Sequence, residues 1–298
     1  MSVNEHPLSS ADQKEFIERG YIRLRGCFSK AKAREMEELC FKRLGYDPKD
    51  MSTWKEPRIH MGGNISIDPL IFAPKAWYAA CQLLGGEKRV KGWNWGDHFI
   101  INLNDGAERA WEPPSPKVPG WHKDGDFFLH FLDSPEQGLL SLVCWTDVLH
   151  KGGATFVAPD SVGVISRYLA EHPEGVNPFK FPFKELIGQC KEFVEVQGEA
   201  GDVFLLHPYI LHASSQNALK KPRIITNPPI QLKDPMKFNR HNAADFSPVE
   251  RGVLRGLGVE RYNFVPTAPR EKIVPQRVKD QEKRMAEEKM RQAMLQQQ

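Results

Sequence analysis

The sequence predicts a mainly β protein with flanking helices, in which short antiparallel strands form a sandwich or a barrel. From about residue 93 onward, short apolar runs are separated by glycine-containing turns, which is typical of antiparallel strands. The residues before that point hold capped segments with the helical spacing of apolar side chains. Strands and helices do not alternate in the way that indicates a parallel sheet.

The N-terminal part of the chain predicts helices around one strand. The predicted helices are residues 10–20, opened by a capping-box pattern at Ser10; residues 29–43, capped by Ser29; and residues 74–85, begun by Pro74. Residues 21–25 alternate apolar and polar side chains, which predicts a half-buried strand. Residues 46–72 are expected to be irregular.

The middle of the chain predicts the β core. The predicted strands are residues 93–103, 138–148, 154–158, 191–196, 203–206 and 222–232. The glycine-rich turn at residues 198–202 indicates that the strands on either side of it form a hairpin. Residues 104–120 are expected to be a long loop, and a helix is expected from Asp160 to about Ala170.

The C-terminal part predicts helices. One begins at Ser247-Pro248, and the tail at residues 275–298 is rich in Lys, Glu and Gln. The tail is predicted to be a solvated helix, with partner binding as the alternative. These boundaries divide the chain into a domain at residues 1–245, whose core strands span about 93–232, and a C-terminal helical extension at residues 246–298.

Composition excludes several classes of protein. A net charge of +3 without a block of like charge gives no reason to expect nucleic acid as a partner. No secretory signal and no apolar run long enough to span a membrane is visible, so no membrane association is expected. The 5 cysteines are scattered, which suits reduced thiols, and a cytoplasmic protein is the expectation.

The stretch Trp121–Asp126 holds the residues with the most specific chemistry. On a strand, positions i and i+2 point to the same side, so His122 and Asp124 can bind one metal ion while Lys123 faces away. His212 follows a second apolar strand, 88 residues after Asp124. Two imidazoles and one carboxylate on one face of a metal leave positions open, as in non-haem Fe(II) oxygenases. The alternative for His122 and Asp124 alone is a hydrogen-bonded pair on a strand surface.

Two further residues near His212 need an interpretation. Arg223 lies 11 residues beyond His212, and its guanidinium could bind a carboxylate in bidentate fashion. The alternative for Arg223 is an exposed strand arginine. His207 competes with His212 as a ligand, but a half-buried structural histidine is the preferred interpretation.

Together these residues resemble the phytanoyl-CoA dioxygenase-like family of Fe(II)/2-oxoglutarate-dependent oxygenases. The resemblance covers about residues 8–232. It rests on the motifs at residues 121–126, 145–148, 152–159, 201–212 and 221–223, together with Ser214 and Asn217. The chain departs from the family pattern at Pro159–Val162, where Asp160 and Val162 stand in place of glycine and histidine.

The resemblance implies a double-stranded β-helix (jelly roll, cupin-like) core packed by N-terminal helices. It implies His122, Asp124 and His212 as catalytic iron ligands. It also implies Arg223 and Ser214 at the distal carboxylate of 2-oxoglutarate. Trp145 matches a position that contacts the cosubstrate in some members, and a buried core tryptophan is the equal alternative.

The resemblance also implies a reaction. Halogenating relatives lack the carboxylate ligand, so Asp124 favours hydroxylation or desaturation, with Fe(II) as cofactor, 2-oxoglutarate and O2 as cosubstrates, and release of succinate and CO2. The expected substrate is a small organic molecule of biosynthetic metabolism; the oligomeric state is left open. Asp126 and His130 either face this substrate or belong to a packed loop.

The sequence leaves two other functions as alternatives. A catalytically inactive relative could act as a binding scaffold through its C-terminal helix, although the complete ligand set argues against this. A zinc hydrolase has less support, because the chain has no His-Glu-x-x-His motif.

Overall fold

A computed structural model describes residues 5–295, and its helices flank the β core. The helices are α1 Ser10–Arg19, α2 Lys30–Leu44, α3 Pro69–Phe72, α4 Pro74–Leu84, α5 Ser161–Ala170, α6 Phe183–Ile187, α7 Pro248–Leu257 and α8 Gln276–Leu295. Their ends follow the local sequence. Ser29 caps α2 by accepting from Lys32 N, and α1, α2 and α4 each end at a glycine with positive φ, where a Cβ would be strained.

The strands are short. They are β1 Tyr21–Leu24, β2 Arg58–His60, β3 Ser66–Ile67, β4 Val90–Gly92, β5 Trp95–Gly96, β6 Ile100–Asn102, β7 Leu140–Cys144, β8 Thr155–Ala158, β9 Val194–Val196, β10 Val203–Leu206, β11 Leu211–Ser214, β12 Arg223–Thr226 and β13 Gln231–Leu232.

Two antiparallel sheets make up most of the β structure. The larger has six strands in the order β1-β10-β7-β12-β6-β2, and the smaller has three in the order β11-β8-β9. The pairs β13-β4 and β3-β5 form small additional sheets. The prediction of antiparallel sheets with flanking helices is therefore confirmed.

The six-stranded sheet has two different faces. On its outer face, one core cluster joins strand residues to helix residues; it includes Ile59, Ile101, Val143, Leu205 and Ile224 from the sheet and Phe16, Met36 and Leu83 from the helices. A second cluster lies between the sheets and includes Leu140, Phe204 and Ile225 on one side and Val157 on the other. Each fully buried aliphatic side chain of this kind contributes about 1.5–3 kcal/mol.

The region between the two sheets also holds a cavity. Strand alternation turns Arg58, His60, Leu142, Arg223 and Ile225 of the larger sheet towards it, and Thr155, His212 and Ser214 of the smaller sheet face it from the other side. The cavity is thus lined by both sheets.

Several boundary predictions were wrong. The N-cap of α1 is Ser9, because Asp12 reaches back to Ser9 N at 2.8 Å, and residues 46–72 contain β2, β3 and α3. The expected hairpin of β9 with β10 does not form. β9 pairs with β8 and β10 pairs with β1 and β7, so the turn at residues 198–202 carries the chain from one sheet to the other.

Helix α8 is docked on the protein, which corrects the prediction of a solvated tail. Arg43 on α2 makes a buried ion pair with Glu288 at 2.9 Å and a second with Asp97 at 2.7 Å. A Cβ on Gly62 would lie 2.5 Å from Met285 Sδ, so the helix crosses this glycine at contact distance. The division into domains at 1–245 and 246–298 stays a prediction, and its terminal residues 1–4 and 296–298 lie outside the described part of the chain.

Two further observations concern the whole chain. Across residues 5–295, no helix is long and apolar enough to cross a membrane. All five cysteines are buried as free thiols, and burial raises the pKa of Cys27, Cys81 and Cys190 to about 12. Thiols with such a pKa are poor nucleophiles at neutral pH.

Candidate metal centre

His122, Asp124 and His212 come together at one side of the cavity. One potential ligand atom from each lies within 4.8 Å of the other two. Oδ1 of Asp124 is 3.5 Å from Nε2 of His122 and 3.5 Å from Nε2 of His212. His122 and Asp124, two residues apart, and the distant His212 therefore converge on one point.

Backbone pairing brings the two histidines together. His212 lies on β11, and His122 forms a single antiparallel bridge with it, through hydrogen bonds of 3.0 Å from His122 N and 2.8 Å from His212 N. The segment around His122 is extended but is not part of a longer strand, which corrects the expectation of a strand at the motif. The turn at Gly125, with φ of 111°, follows directly.

Hydrogen bonds orient both imidazoles towards Asp124. Nδ1 of His122 lies 2.8 Å from the carbonyl of Gly120, and Nδ1 of His212 lies 3.3 Å from that of Ile210. A carbonyl can only accept, so Nδ1 carries the proton in each ring and the Nε2 lone pair is free. Neutral imidazoles fixed in this way fit a metal ion as ligands.

The carboxylate of Asp124 is held from its other side. Asn227 donates from Nδ2 to Oδ2 at 2.9 Å, which leaves Oδ1 for the point where the histidines converge. Burial would raise the pKa of Asp124, but His212 and His122 hold that pKa well below its ordinary value. Burial would lower the pKa of His122, but the contact with Asp124 gives a net rise. The site thus favours the anionic carboxylate.

The side chain of Lys123 is directed to His130, and Lys123 is also among the residues that line the cavity. Its Nζ lies 2.6 Å from His130 Nδ1 and donates to the Asp124 carbonyl at 3.2 Å. Burial lowers the pKa of Lys123 to about 7. His130 is 1% exposed, and its Nε2 donates to the Gly125 carbonyl at 2.7 Å. His130 therefore belongs to the packed loop, whereas Asp126 lines the cavity.

The cavity beside the centre has a volume of about 430 Å³, within the range of small-molecule sites. Arg223 lines it and is 1% exposed. Its Nε donates to Gly153 O at 2.7 Å and its Nη1 to Ile100 O at 3.2 Å, which fixes the guanidinium plane. Ser214 lines the same cavity.

The cavity around Arg223 is cationic. Burial, and then the charge of Arg58, lower the pKa of Arg223 to about 9, so it is charged at neutral pH. Burial lowers the pKa of His60 to about 4, with Arg58 and Arg223 acting in the same direction. In the described part of the chain, the Arg58 side chain has no ion-pair partner, and its buried Nε has no hydrogen-bond partner. An anionic ligand in the cavity would balance the positive charges of Arg58 and Arg223.

Trp145 and His207 lie away from the cavity. Trp145 is 1% exposed, donates from Nε1 to Thr226 Oγ1 at 3.2 Å, and packs on Phe28 and Trp95, so it occupies a core position. His207 is fully packed beside α7, where Nε2 lies 3.1 Å from Val249 O. The structure thus does not bring Trp145 to the cavity, and His207 is not near the metal ligands.

The polar cavity residues that the sequence analysis did not propose include Arg58, Asn227, Arg277 and Gln281. Asn227 lies within the strand predicted at residues 222–232, two residues after Ile225, so alternation could have placed it on the Arg223 side. Arg58 fell in a segment that was predicted to be irregular. Arg277 and Gln281 lie on the tail helix, and nothing local in the sequence indicates where that helix docks.

Comparison with known proteins gives a family and a fold. A family model described as phytanoyl-CoA dioxygenase (PhyH) matches residues 16–225. No curated protein matches the chain. The SnoK structure, a non-heme alpha ketoglutarate dependent carbocyclase from nogalamycin biosynthesis, has 17% identity and a TM-score of 0.52, covering 79% of this chain and 89% of SnoK. That likeness shows the fold alone.

Two further structures have lower TM-scores. EctD from S. alaskensis, solved in its apoform, has 19% identity and a TM-score of 0.42, covering 78% of this chain and 79% of EctD. HygX from Streptomyces hygroscopicus, solved with nickel and 2-oxoglutarate bound, has 14% identity and a TM-score of 0.42, covering 76% of this chain and 88% of HygX.

Proposed function

The chain belongs to the phytanoyl-CoA dioxygenase family, and on that premise we propose that it is a non-haem Fe(II)- and 2-oxoglutarate-dependent dioxygenase acting on a small organic molecule. The observation that carries the proposal is the convergence of His122, Asp124 and His212 on one point beside a cationic cavity. This ligand set is the one that leaves open positions on iron.

The three ligand residues have distinct roles in the proposal. The two Nε2 lone pairs and Oδ1 of Asp124 would hold the metal, while the hydrogen bond from Asn227 would occupy the second carboxylate oxygen. When bound, iron supplies the activation of O2 that is coupled to decarboxylation of 2-oxoglutarate. The protein fixes ligand orientation and shields the site from water.

Arg223 is proposed to bind the distal carboxylate of 2-oxoglutarate, with Ser214 as a second contact. Backbone carbonyls accept from Nε and from one N–H of Nη1, so the two N–H groups of Nη2 and the second N–H of Nη1 are left for a ligand. A buried, oriented guanidinium binds a carboxylate with strong, charge-assisted hydrogen bonds. Trp145 would act on this part of the cavity only through Thr226, which lines it.

The finer fold assignment belongs to the same proposal. The two main antiparallel sheets would be the two halves of a double-stranded β-helix, with α1, α2 and α4 packed outside the larger half. The oxygenase domain would span residues 1–245, and residues 246–298 would form the helical extension.

The proposed reaction is hydroxylation or desaturation. For hydroxylation, one oxygen atom of O2 enters the substrate and the other enters succinate, while CO2 leaves. Asp124 favours these outcomes because the carboxylate occupies the position that a halide would need. The cavity volume suits a small substrate, and a metabolite of biosynthesis is the proposed class. The scaffold alternative is not favoured, since the inner face of α8 is engaged by the protein itself.

The test uses metal content and cosubstrate turnover. Anaerobically purified protein should bind Fe(II) and then 2-oxoglutarate, and should release succinate slowly in air without added substrate. His122→Ala and His212→Ala should lose bound metal, whereas His241→Ala, which changes an exposed histidine, should not. Absence of 2-oxoglutarate binding in the metal-loaded wild-type protein would contradict the proposal.

A further inference from the structure

Helix α8 reaches the cavity that contains the metal ligands. Arg277 and Gln281 both line this cavity, and their i, i+4 spacing places them on one face of the helix. The same face continues through Met285, which contacts Gly62, and Glu288, which pairs with Arg43. The helix therefore crosses the open side of the cavity with a continuous inner face.

An ion pair ties the start of α8 to the metal-binding segment. Arg277 donates from Nε to Asp126 Oδ2 at 2.5 Å and from Nη2 to Asp126 Oδ1 at 2.7 Å. Asp126 is two residues beyond Asp124, so this bidentate pair joins the helix directly to the loop that follows the ligand. We call it the Arg277–Asp126 latch.

Further contacts set the position of the helix. Arg284 makes a bidentate pair with Glu56 at 2.8 Å, two residues before Arg58 of β2. Glu288 accepts from Arg43 in the protein interior. Breaking the buried pair would remove one of the two carboxylates that hold Arg43 in the protein interior, whereas the half-exposed latch is worth little. The end of α8 near the cavity is consequently its weakly held end.

We propose that α8 is the outer wall of the substrate-binding part of the cavity, with Arg277 and Gln281 contacting the substrate and the Arg277–Asp126 latch holding the wall closed. The inference rests on the proposed function, since it takes the metal site as the reaction centre. Nη1 of Arg277 has no hydrogen-bond partner among residues 5–295, and the Gln281 amide lies one turn further along the cavity. These groups fit an oxygen-bearing small molecule whose hydroxyl, carbonyl or carboxylate oxygen accepts from them.

The position of the wall is tested with the metal alone. Gln281→Cys is labelled with a trifluoromethyl thiol reagent, and Co(II) is added to the full-length protein in place of iron. The native thiols are buried, so the introduced thiol is the one that reacts. The fluorine signal at 281 should broaden strongly on Co(II) binding, because paramagnetic broadening falls steeply with distance.

Lys283→Cys is the matched control, since it is exposed on the opposite face of the same helix. Its label should broaden much less. Equal broadening at both positions, or none at 281 in protein that has bound Co(II), overturns the inference. Failure of the wild-type protein to bind Co(II) at all would instead contradict the proposed function.

The latch is tested by metal exchange kinetics. Arg277→Gln should raise both the rate of Co(II) binding and its rate of extraction by EDTA, each about fivefold, as expected for losing a pair worth about 1 kcal/mol. The equilibrium affinity for Co(II) should change less than about twofold, because the wall changes the rates of metal binding and release by the same factor. Lys283→Gln removes the same charge from the outer face and should change neither rate. Rates in Arg277→Gln equal to those of Lys283→Gln, or a change confined to the affinity, overturn the role of the latch.

Discussion

Nδ2 of Asn227 lies 2.9 Å from Oδ2 of Asp124, across 103 residues of sequence. Asn227 directly follows β12, the strand that carries Arg223, so one short segment supports both the proposed metal ligand and the proposed cosubstrate contact. Because Oδ2 is occupied as an acceptor, the carboxylate is set to bind a metal through Oδ1.

Asn227→Ala should weaken metal binding by about 10- to 100-fold, since groups that orient a metal ligand contribute at this level. The measurement is the Co(II) affinity by competition with a chelator of known strength. Asn239→Ala, which removes an exposed amide paired with Asn263, should leave the affinity unchanged. An unaltered affinity in Asn227→Ala would show that Asp124 does not need this hydrogen bond.

Arg223→Gln should reduce 2-oxoglutarate affinity by at least about 30-fold, which corresponds to the roughly 2 kcal/mol or more of a buried charged contact. Arg223→Lys keeps the charge but lacks the planar fork of the guanidinium. Its affinity for 2-oxoglutarate should lie between that of the wild type and that of Arg223→Gln. Anaerobic titration of the iron-loaded protein, followed by its charge-transfer absorption, measures this affinity. Metal affinity should stay as in the wild type; if it falls in parallel, the variant has disturbed the whole site.

The sequence alone predicts some parts of the site and not others. His122, Asp124 and His212 were predictable because their side chains have few other common uses in this combination, and the family motif fixes their order. Arg223 followed from its place on the next strand. These predictions depend on short local patterns, which the sequence displays directly.

The contacts that were missed join distant parts of the chain. Arg277 and Asp126 are 151 residues apart, and Arg43 and Glu288 are 245 apart. A polar helix with a few apolar positions has the same pattern whether it is solvated or docked through ion pairs, so α8 was misjudged. The turn between β9 and β10 has the residues of a hairpin turn. The two strands nevertheless pair within different sheets, so the turn connects the sheets and does not close a hairpin.

Stability should fall as the pH is lowered from about 6.5 towards 4. Burial lowers the pKa of His207 to about 3, so the folded state keeps this imidazole neutral while the unfolded state, with the ordinary value, takes up a proton. The unfolded state therefore binds more protons below pH 6.5, and it gains stability relative to the folded state. At pH 5 the expected loss from this one group is about 2 kcal/mol.

Urea unfolding at pH 7 and pH 5 measures this effect. His207→Gln should reduce the difference in unfolding free energy between the two pH values, even if it lowers stability at both. His241→Gln, at an exposed position, should retain the wild-type difference. A difference that is the same in all three proteins would mean that other groups cause the acid sensitivity.

Glu288→Gln should destabilise the protein by about 1.5–3 kcal/mol, because Arg43 loses one buried charged partner and keeps the other, Asp97. Arg284→Gln, which breaks the half-exposed pair with Glu56, should cost no more than about 1 kcal/mol. Thermal or urea unfolding distinguishes the two. Similar small effects for both variants would indicate that α8 is not docked through Arg43.

The backbone bridge between His122 and His212 has a consequence for the apoprotein. Two of the three proposed ligands are joined by main-chain hydrogen bonds that need no metal. The entropic cost of closing the loop between them is therefore incurred when the chain folds, before a metal binds. The centre is thus preorganised, and metal binding needs to order few residues. Metal removal should therefore leave a folded protein that reloads rapidly, unlike small domains in which the ion itself nucleates the fold.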